Sequence, residues 1–223
     1  MTEAQAEAIR KNSMEALNVH GLPAVDGLPL ADSRGEIERR PAEEIARRLM
    51  GLPAQVAWCC APEELAPSPT LVEYIDSNEL FEALTHPERK IVNSDRTEAA
   101  AYREQVGWYT ENIWTLAWTL GFEMTPGIDG MPIKNEVGPP LTRDFLEVFD
   151  VDVDGLVSKR GLRPLDDIVA LEDLFYCAHN AARSLAKENK EMRFPCGVIQ
   201  ERRHALTWCL SPGAAWDDID LST

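Results

Sequence analysis

Apolar and small residues return at helical spacing in several stretches of the chain, and no run of five or more alternates as a half-buried strand would. Residues 2–19 set Ala6, Ile9, Ser13, Ala16 and Leu17 on one face behind a Thr2 cap, and His20-Gly21-Leu22-Pro23 stops them. Residues 21–39 hold Pro23, Gly27, Pro29 and Gly35 without periodicity and predict a long crossing loop. A second helix is expected from Pro41, with Glu43 and Glu44 early, Arg47 and Arg48 late, and Ile45, Ala46 and Leu49 as its buried stripe. Gly51 and Pro53 are expected to kink or end it before residues 56–60.

Pro62, Pro67 and Pro69 mark a connection, with short helical stretches at 71–75 and 78–84. Residues 97–120 carry the strongest pattern. Val106, Tyr109, Ile113, Leu116, Ala117 and Leu120 repeat on one side, and Trp108, Trp114 and Trp118 add a second, which predicts a central helix capped by Gly121. A Gly- and Pro-rich loop follows at 126–140, then a short helix at 142–149. A long helix at 165–189 bears the stripe Ile168, Leu171, Phe175, Ala178, Ala182 and Leu185, and a final helix spans 197–210. These elements predict an all-α, single-domain helical bundle over residues 1–223 with long Pro/Gly-rich loops, residues 1–40 forming an N-terminal helix and crossing loop that could stand as an appendage.

Charge narrows the partners. Lys and Arg number 22 against 38 Asp and Glu, a formal net charge of -16. Such a field repels nucleic acid and anionic lipid, and it speeds association with a basic protein or serves solubility alone. With no apolar stretch of membrane-spanning length and no signal-like amino terminus, the expected compartment is the cytoplasm. The five cysteines Cys59, Cys60, Cys177, Cys196 and Cys209 are expected as reduced thiols, and no cofactor or metal is called for.

The run 197–208, Gly-Val-Ile-Gln-Glu-Arg-Arg-His-Ala-Leu-Thr-Trp, followed by Trp216-Asp217-Asp218, resembles the carboxy-terminal signature of the bacterial domain of unknown function numbered 4272. Gly21-Leu22-Pro23, residues 40–48 from Arg40-Pro41 onward, the run Trp118 through Gly121, and residues 173–179 are similar to it as well. The sequence departs at Gly51 and Pro53, where that family tends to continue its helix. The resemblance implies a fold and supplies no reaction, cofactor or catalytic residue.

Several constellations carry candidate chemistry. Asp173, His179, Glu201 and Arg202 lie on or beside the apolar stripes of the last two long helices, where a tuned acid or base, a ligand-recognition pair or an ion-pair network fixing helix register would each use them. Trp208 closes the signature run. Trp216, Asp217 and Asp218 suit a docking or cation site, or an indole anchor with its acids in solvent. Asp150, Asp152, Asp154 and Gly155 match positions one, three, five and six of a calcium loop, but Gly161 stands where a bidentate Glu is needed. Cys177 and His179, two apart on a helix, face different ways, and with Cys196, His204 and Cys209 they form no zinc spacing. No nucleophile elbow or phosphate-cradling loop occurs. The expectation is a non-enzymatic adaptor or neutraliser of a basic partner, against an enzyme or small-ligand binder with a polar pocket around Glu201 and Arg202.

Overall fold

A computed structural model describes residues 1–31, 37–129, 147–190 and 196–222. Among them no strand occurs, so the fold is all-α. The helices are α1 (Glu3–Val19), α2 (Ala42–Cys60), α3 (Ser68–Ser77), α4 (His86–Asn93), α5 (Arg96–Ala99), α6 (Arg103–Gly107), α7 (Tyr109–Thr119), α8 (Val153–Arg160), α9 (Leu165–Lys187) and α10 (Cys196–Cys209). Short 3-10 turns lie at Leu80–Ala83, Ala100–Tyr102, Glu147–Phe149 and Trp216–Asp218. The chain divides into two compact units, one built from Met1–Arg40, Thr125–Pro132 and Arg163–Thr223, the other from Pro41–Met124 and Ile133–Leu162.

In the first unit α9 is the central element, with α1 and α10 packed along it. The stripe predicted for α9 is buried at Ile168, Leu171, Phe175, Ala178 and Ala182. α1 begins with a capping box in which Thr2 and Gln5 satisfy each other's backbone N–H groups, and it buries Ala6, Ser13 and Leu17.

In the second unit α2 runs unbroken through Gly51 and Pro53, where local propensity predicts a kink or an end. Packing explains the difference. Every residue from 48 to 55 is buried, so tertiary contacts outweigh the backbone bond that Pro53 cannot donate. Gly51 gives the Leu80–Ala83 turn room: a Cβ there would lie 3.0 Å from Leu84 Cδ2. Trp58, Cys59, Leu71, Ile91, Ala99 and Val106 form the apolar core beside α2, with Tyr109 and Phe149 against it.

The single helix expected over 97–120 is instead four pieces, α5, a 3-10 turn, α6 and α7. One break follows Gly107, the weakest helix former of the run, at Trp108, which is 44% exposed while Trp114 and Trp118 are buried. Gly121 does close α7, at φ +76°, with Phe122 N–H donating to Ala117 O at 3.1 Å. Of the helix expected at 142–149, residues 142–146 lie outside the described residues and 147–149 form a 3-10 turn. α4 and α8 have local signals that the periodicity missed. Thr85 and Glu88 make a capping box, and Asp152 Oδ1 accepts from Gly155 N–H at 2.7 Å. Of the calcium-like aspartates, Asp152 therefore caps a helix and Asp154 lies inside its first turn, while Asp150 precedes it.

Candidate functional site

The candidate residues Asp173, His179, Glu201, Arg202, Trp208, Trp216, Asp217 and Asp218 all belong to the first unit, but they form several separate arrangements. Asp173, on α9 and 1% exposed, faces α1. Its carboxylate accepts from Arg10 Nη2 at 2.8 Å, Arg10 Nε at 3.2 Å and Ser13 Oγ at 2.8 Å. Arg10 also donates to the carbonyls of Leu28 and Pro29, so one guanidinium ties α1, α9 and the following loop together. Position 13 is the one polar residue in the α1 stripe, and Arg10 lies one turn before it on the same face.

His179, one and a half turns further along α9, meets Arg203 of α10 instead. Arg203 Nη1 lies 2.8 Å from His179 Nδ1. A guanidinium can only donate, so Nδ1 accepts and the imidazole proton sits on Nε2. Burial, then the charges of Arg203 and Arg183, pull the imidazole from 6.5 down to about 4, leaving it neutral at pH 7. Arg203 Nη1 also donates to Leu221 O at 3.2 Å, and its Nε stands 4.0 Å from Glu172 Oε1. The Tyr176 ring lies between the two arginines, 4.7 Å from Arg203 and 5.7 Å from Arg10.

Arg202, 0% exposed, points away from both groups. It donates to Gly127 O and stands 3.9 Å from Asp129 Oδ1, fastening the segment before residue 130 to α10. Glu201, its neighbour, is half-buried. Trp208 is buried under Arg40, whose guanidinium lies 4.0 Å from the indole and donates Nε to Trp208 O at 2.7 Å and Nη2 to Ser211 O at 2.6 Å and to Ala214 O. Arg40 thus closes the carbonyl end of α10 in place of a glycine cap. Trp216 folds back edge-on against Trp208 at 5.2 Å and His204 at 4.5 Å, while Asp217 and Asp218 remain exposed. Position 216 therefore anchors the tail and its acids face solvent.

A cleft of about 160 Å³ opens at the seam of α9 and α10, lined by Ala31, Ile37, Val169, Glu172, Thr207, Leu210 and Ser211. Glu172, 2% exposed, accepts from Thr207 Oγ1 at 3.1 Å beside it. The cleft lies between the two helices where a pocket was expected, but its polar wall is Glu172 and Thr207, and none of Asp173, His179, Glu201 and Arg202 lines it. Glu172, Arg203, Arg10, Ser13 and Arg40 are the residues that sequence reasoning left out of the site. Among the described residues no group of three or more His, Cys, Asp or Glu side chains is placed to hold a metal ion.

The unit built on α1, α9 and α10, with its buried, arginine-rich polar seam, is all-α among the described residues, and the family model for the domain of unknown function DUF4272 matches residues 10–219. The chain belongs to the DUF4272 family. Compared with curated proteins and with solved structures, it finds no match. No described helix is long and apolar enough to cross a membrane.

Proposed function

We propose that the chain is a non-enzymatic, acidic protein-binding protein, an adaptor or a neutraliser of a basic partner. The observation that carries this reading is the closure of the polar seam. Asp173 and His179, the groups best suited to proton transfer, are both buried and held by arginines of neighbouring helices, while the acids that reach water are numerous. Glu3, Glu7 and Glu15 of α1, Asp166 and Asp167 of α9, and Asp217 and Asp218 are all exposed, and the net charge is -16. Such a surface favours fast, salt-sensitive association with a basic protein and disfavours nucleic acid and anionic membranes. The cytoplasm is the proposed compartment. A tagged pull-down from native lysate at low and moderate salt, read by mass spectrometry, tests it. One stoichiometric basic partner that salt weakens supports the proposal, and a chain recovered alone at both salts counts against it.

The cleft beside Glu172 favours a second reading, a small-ligand binder of the α9–α10 seam, since an apolar hollow with a buried carboxylate suits a cationic or hydroxylated ligand. Thermal-shift screening of amines and polyols against wild type and Glu172→Gln distinguishes it: stabilisation lost in the variant supports the second reading, and the absence of any stabilising compound removes it.

A further inference from the structure

The second unit holds a roomier cleft, of about 340 Å³, at the carboxy-terminal end of α2. That volume falls within the range of small-molecule sites. Its walls are Trp58, Cys59, Ala61 and Glu63 on one side and Arg96, Thr97, Ala100 and Arg103 on the other. The two arginines differ in how much of their donor capacity is used. Arg96 gives Nε to Trp58 O at 3.2 Å, Nη2 to Ala57 O at 2.9 Å and to Ala61 O, and Nη1 to Ala66 O and to Glu63 Oε2 at 2.9 Å. Arg103 gives only Nε, to Cys59 O at 2.9 Å. Its two terminal nitrogens make no hydrogen bond among the described residues.

This arrangement leaves one edge of a guanidinium presented at the cleft. The Nε bond to Cys59 O tethers Arg103 at the cleft wall, and the open edge is the end-on fork of Nη1 and Nη2 that matches the two oxygens of a carboxylate. The groups that would repel an anion are already occupied. The terminal carbonyls of α2 at Ala57, Trp58 and Cys59 accept from the arginines, and Glu63 is bound by Ser68 N–H at 2.7 Å, Ser68 Oγ at 2.8 Å and Arg96. Ser68 and Arg96 hold the Glu63 carboxyl below its usual range, so its charge stays paired. The wider acidic field of the chain opposes binding, but it is screened over about 8 Å at physiological salt, while fork and carboxylate meet at contact distance. Ala61, Ala100 and Trp58 supply apolar surface for the rest of a ligand.

We propose that this cleft binds a small organic carboxylate, its head gripped end-on by Arg103 and its apolar body laid against Ala61, Ala100 and Trp58. The site is independent of a basic protein partner, and either can hold without the other. The test is a fluorine NMR titration of the full chain with 4-fluorobenzoate, using 4-fluorobenzamide as the neutral control of the same shape. The benzoate is expected to bind saturably and the benzamide at least about tenfold more weakly. Arg103→Gln should weaken the benzoate about tenfold or more while its thermal unfolding curve overlays wild type, because Arg103 is exposed and makes one hydrogen bond. Ala100→Leu, which fills the cleft and spares Arg103, should block both probes. Equal binding of the two probes, binding that Arg103→Gln leaves unchanged, or no saturable benzoate binding would each overturn the proposal.

Discussion

Asp173→Asn separates a buried carboxylate that sets the register of α1 on α9 from one that serves as an acid or base. The change keeps the side-chain shape and leaves Ser13 an acceptor, but it removes the charge that Arg10 grips with two nitrogens at 2.8 and 3.2 Å. Removing one member of a buried pair costs about 3–5 kcal/mol when the other charge is stranded. Arg10 is 12% exposed and keeps the Leu28 and Pro29 carbonyls, so the expected loss is about 2–3 kcal/mol, below the full penalty. Arg10→Met strands the drier partner, Asp173 at 1% exposure, and should cost somewhat more. The double change Arg10→Met with Asp173→Leu should recover part of the loss, giving a coupling of at least about 1.5 kcal/mol. The assay is urea unfolding with fluorine-labelled tryptophan, in which Trp208 and Trp216 report the first unit apart from the four tryptophans of the second. Hydrogen exchange of the α1 amides reads local release. A loss under about 0.5 kcal/mol, or two single changes that simply add, would refute the register argument, and turnover abolished by Asp173→Asn without loss of stability would refute the proposed function with it.

Four further outcomes are expected. Glu88→Gln, which leaves Arg48 charged at 1% exposure after losing bonds of 2.6 and 2.8 Å, should destabilise the second unit by about 3 kcal/mol in denaturant unfolding. Gln55 is fully buried with neither amide atom hydrogen-bonded among the described residues, so Gln55→Met should stabilise by about 1 kcal/mol, and a loss of stability would show that the amide is satisfied. Gly121→Ala should destabilise by more than about 1 kcal/mol, since φ is +76° and the new Cβ would meet Arg160 O at 2.7 Å. His179 titrates near 4 folded and 6.5 unfolded, so as pH falls through that window only the unfolded chain takes the proton, and stability drops by about 1.4 kcal/mol per unit. His179→Gln should flatten the slope between pH 6 and about 4.5. Glu88, which burial would push up but which Arg48 and Thr85 hold below the usual carboxylate range, withdraws its own contribution only at lower pH.

The all-α class was legible because helical spacing survives in α1, α9 and α10, whose faces are bounded by recognisable starts and stops. α2 was misread at Gly51 and Pro53 because local propensity carries no knowledge of what surrounds a helix on every side. The opposite error befell residues 97–120, where a continuous apolar pattern hid the division into short helical pieces. Of the site, Glu201 and Arg202 were legible as charges inside an apolar helix and Asp173 as one flanking a stripe; Asp173 and Arg202 are buried, whereas Glu201 is half-buried. Their partners were not legible. Arg10 meets Asp173 across 163 positions, and Arg40 reaches Trp208 across 168, separations over which spacing says nothing. The aspartates at 150–154 show the converse: one pattern of acids fits a calcium loop or a helix start, and Asp152 took the second role.

Arg40 closing the far end of α10 has a consequence for the order of manufacture. The first unit is stitched from early and late parts of the chain and the short middle segment Thr125–Pro132, whereas the second is fully synthesised by Leu162. At about 5–20 residues per second, roughly 170 positions separate Arg40 from the carbonyls it covers, a delay on the order of ten to thirty seconds. Throughout that delay α1 has neither Asp173 nor the α9 stripe to lie against. On the ribosome the second unit can mature by itself while the first helix waits for everything made after residue 163.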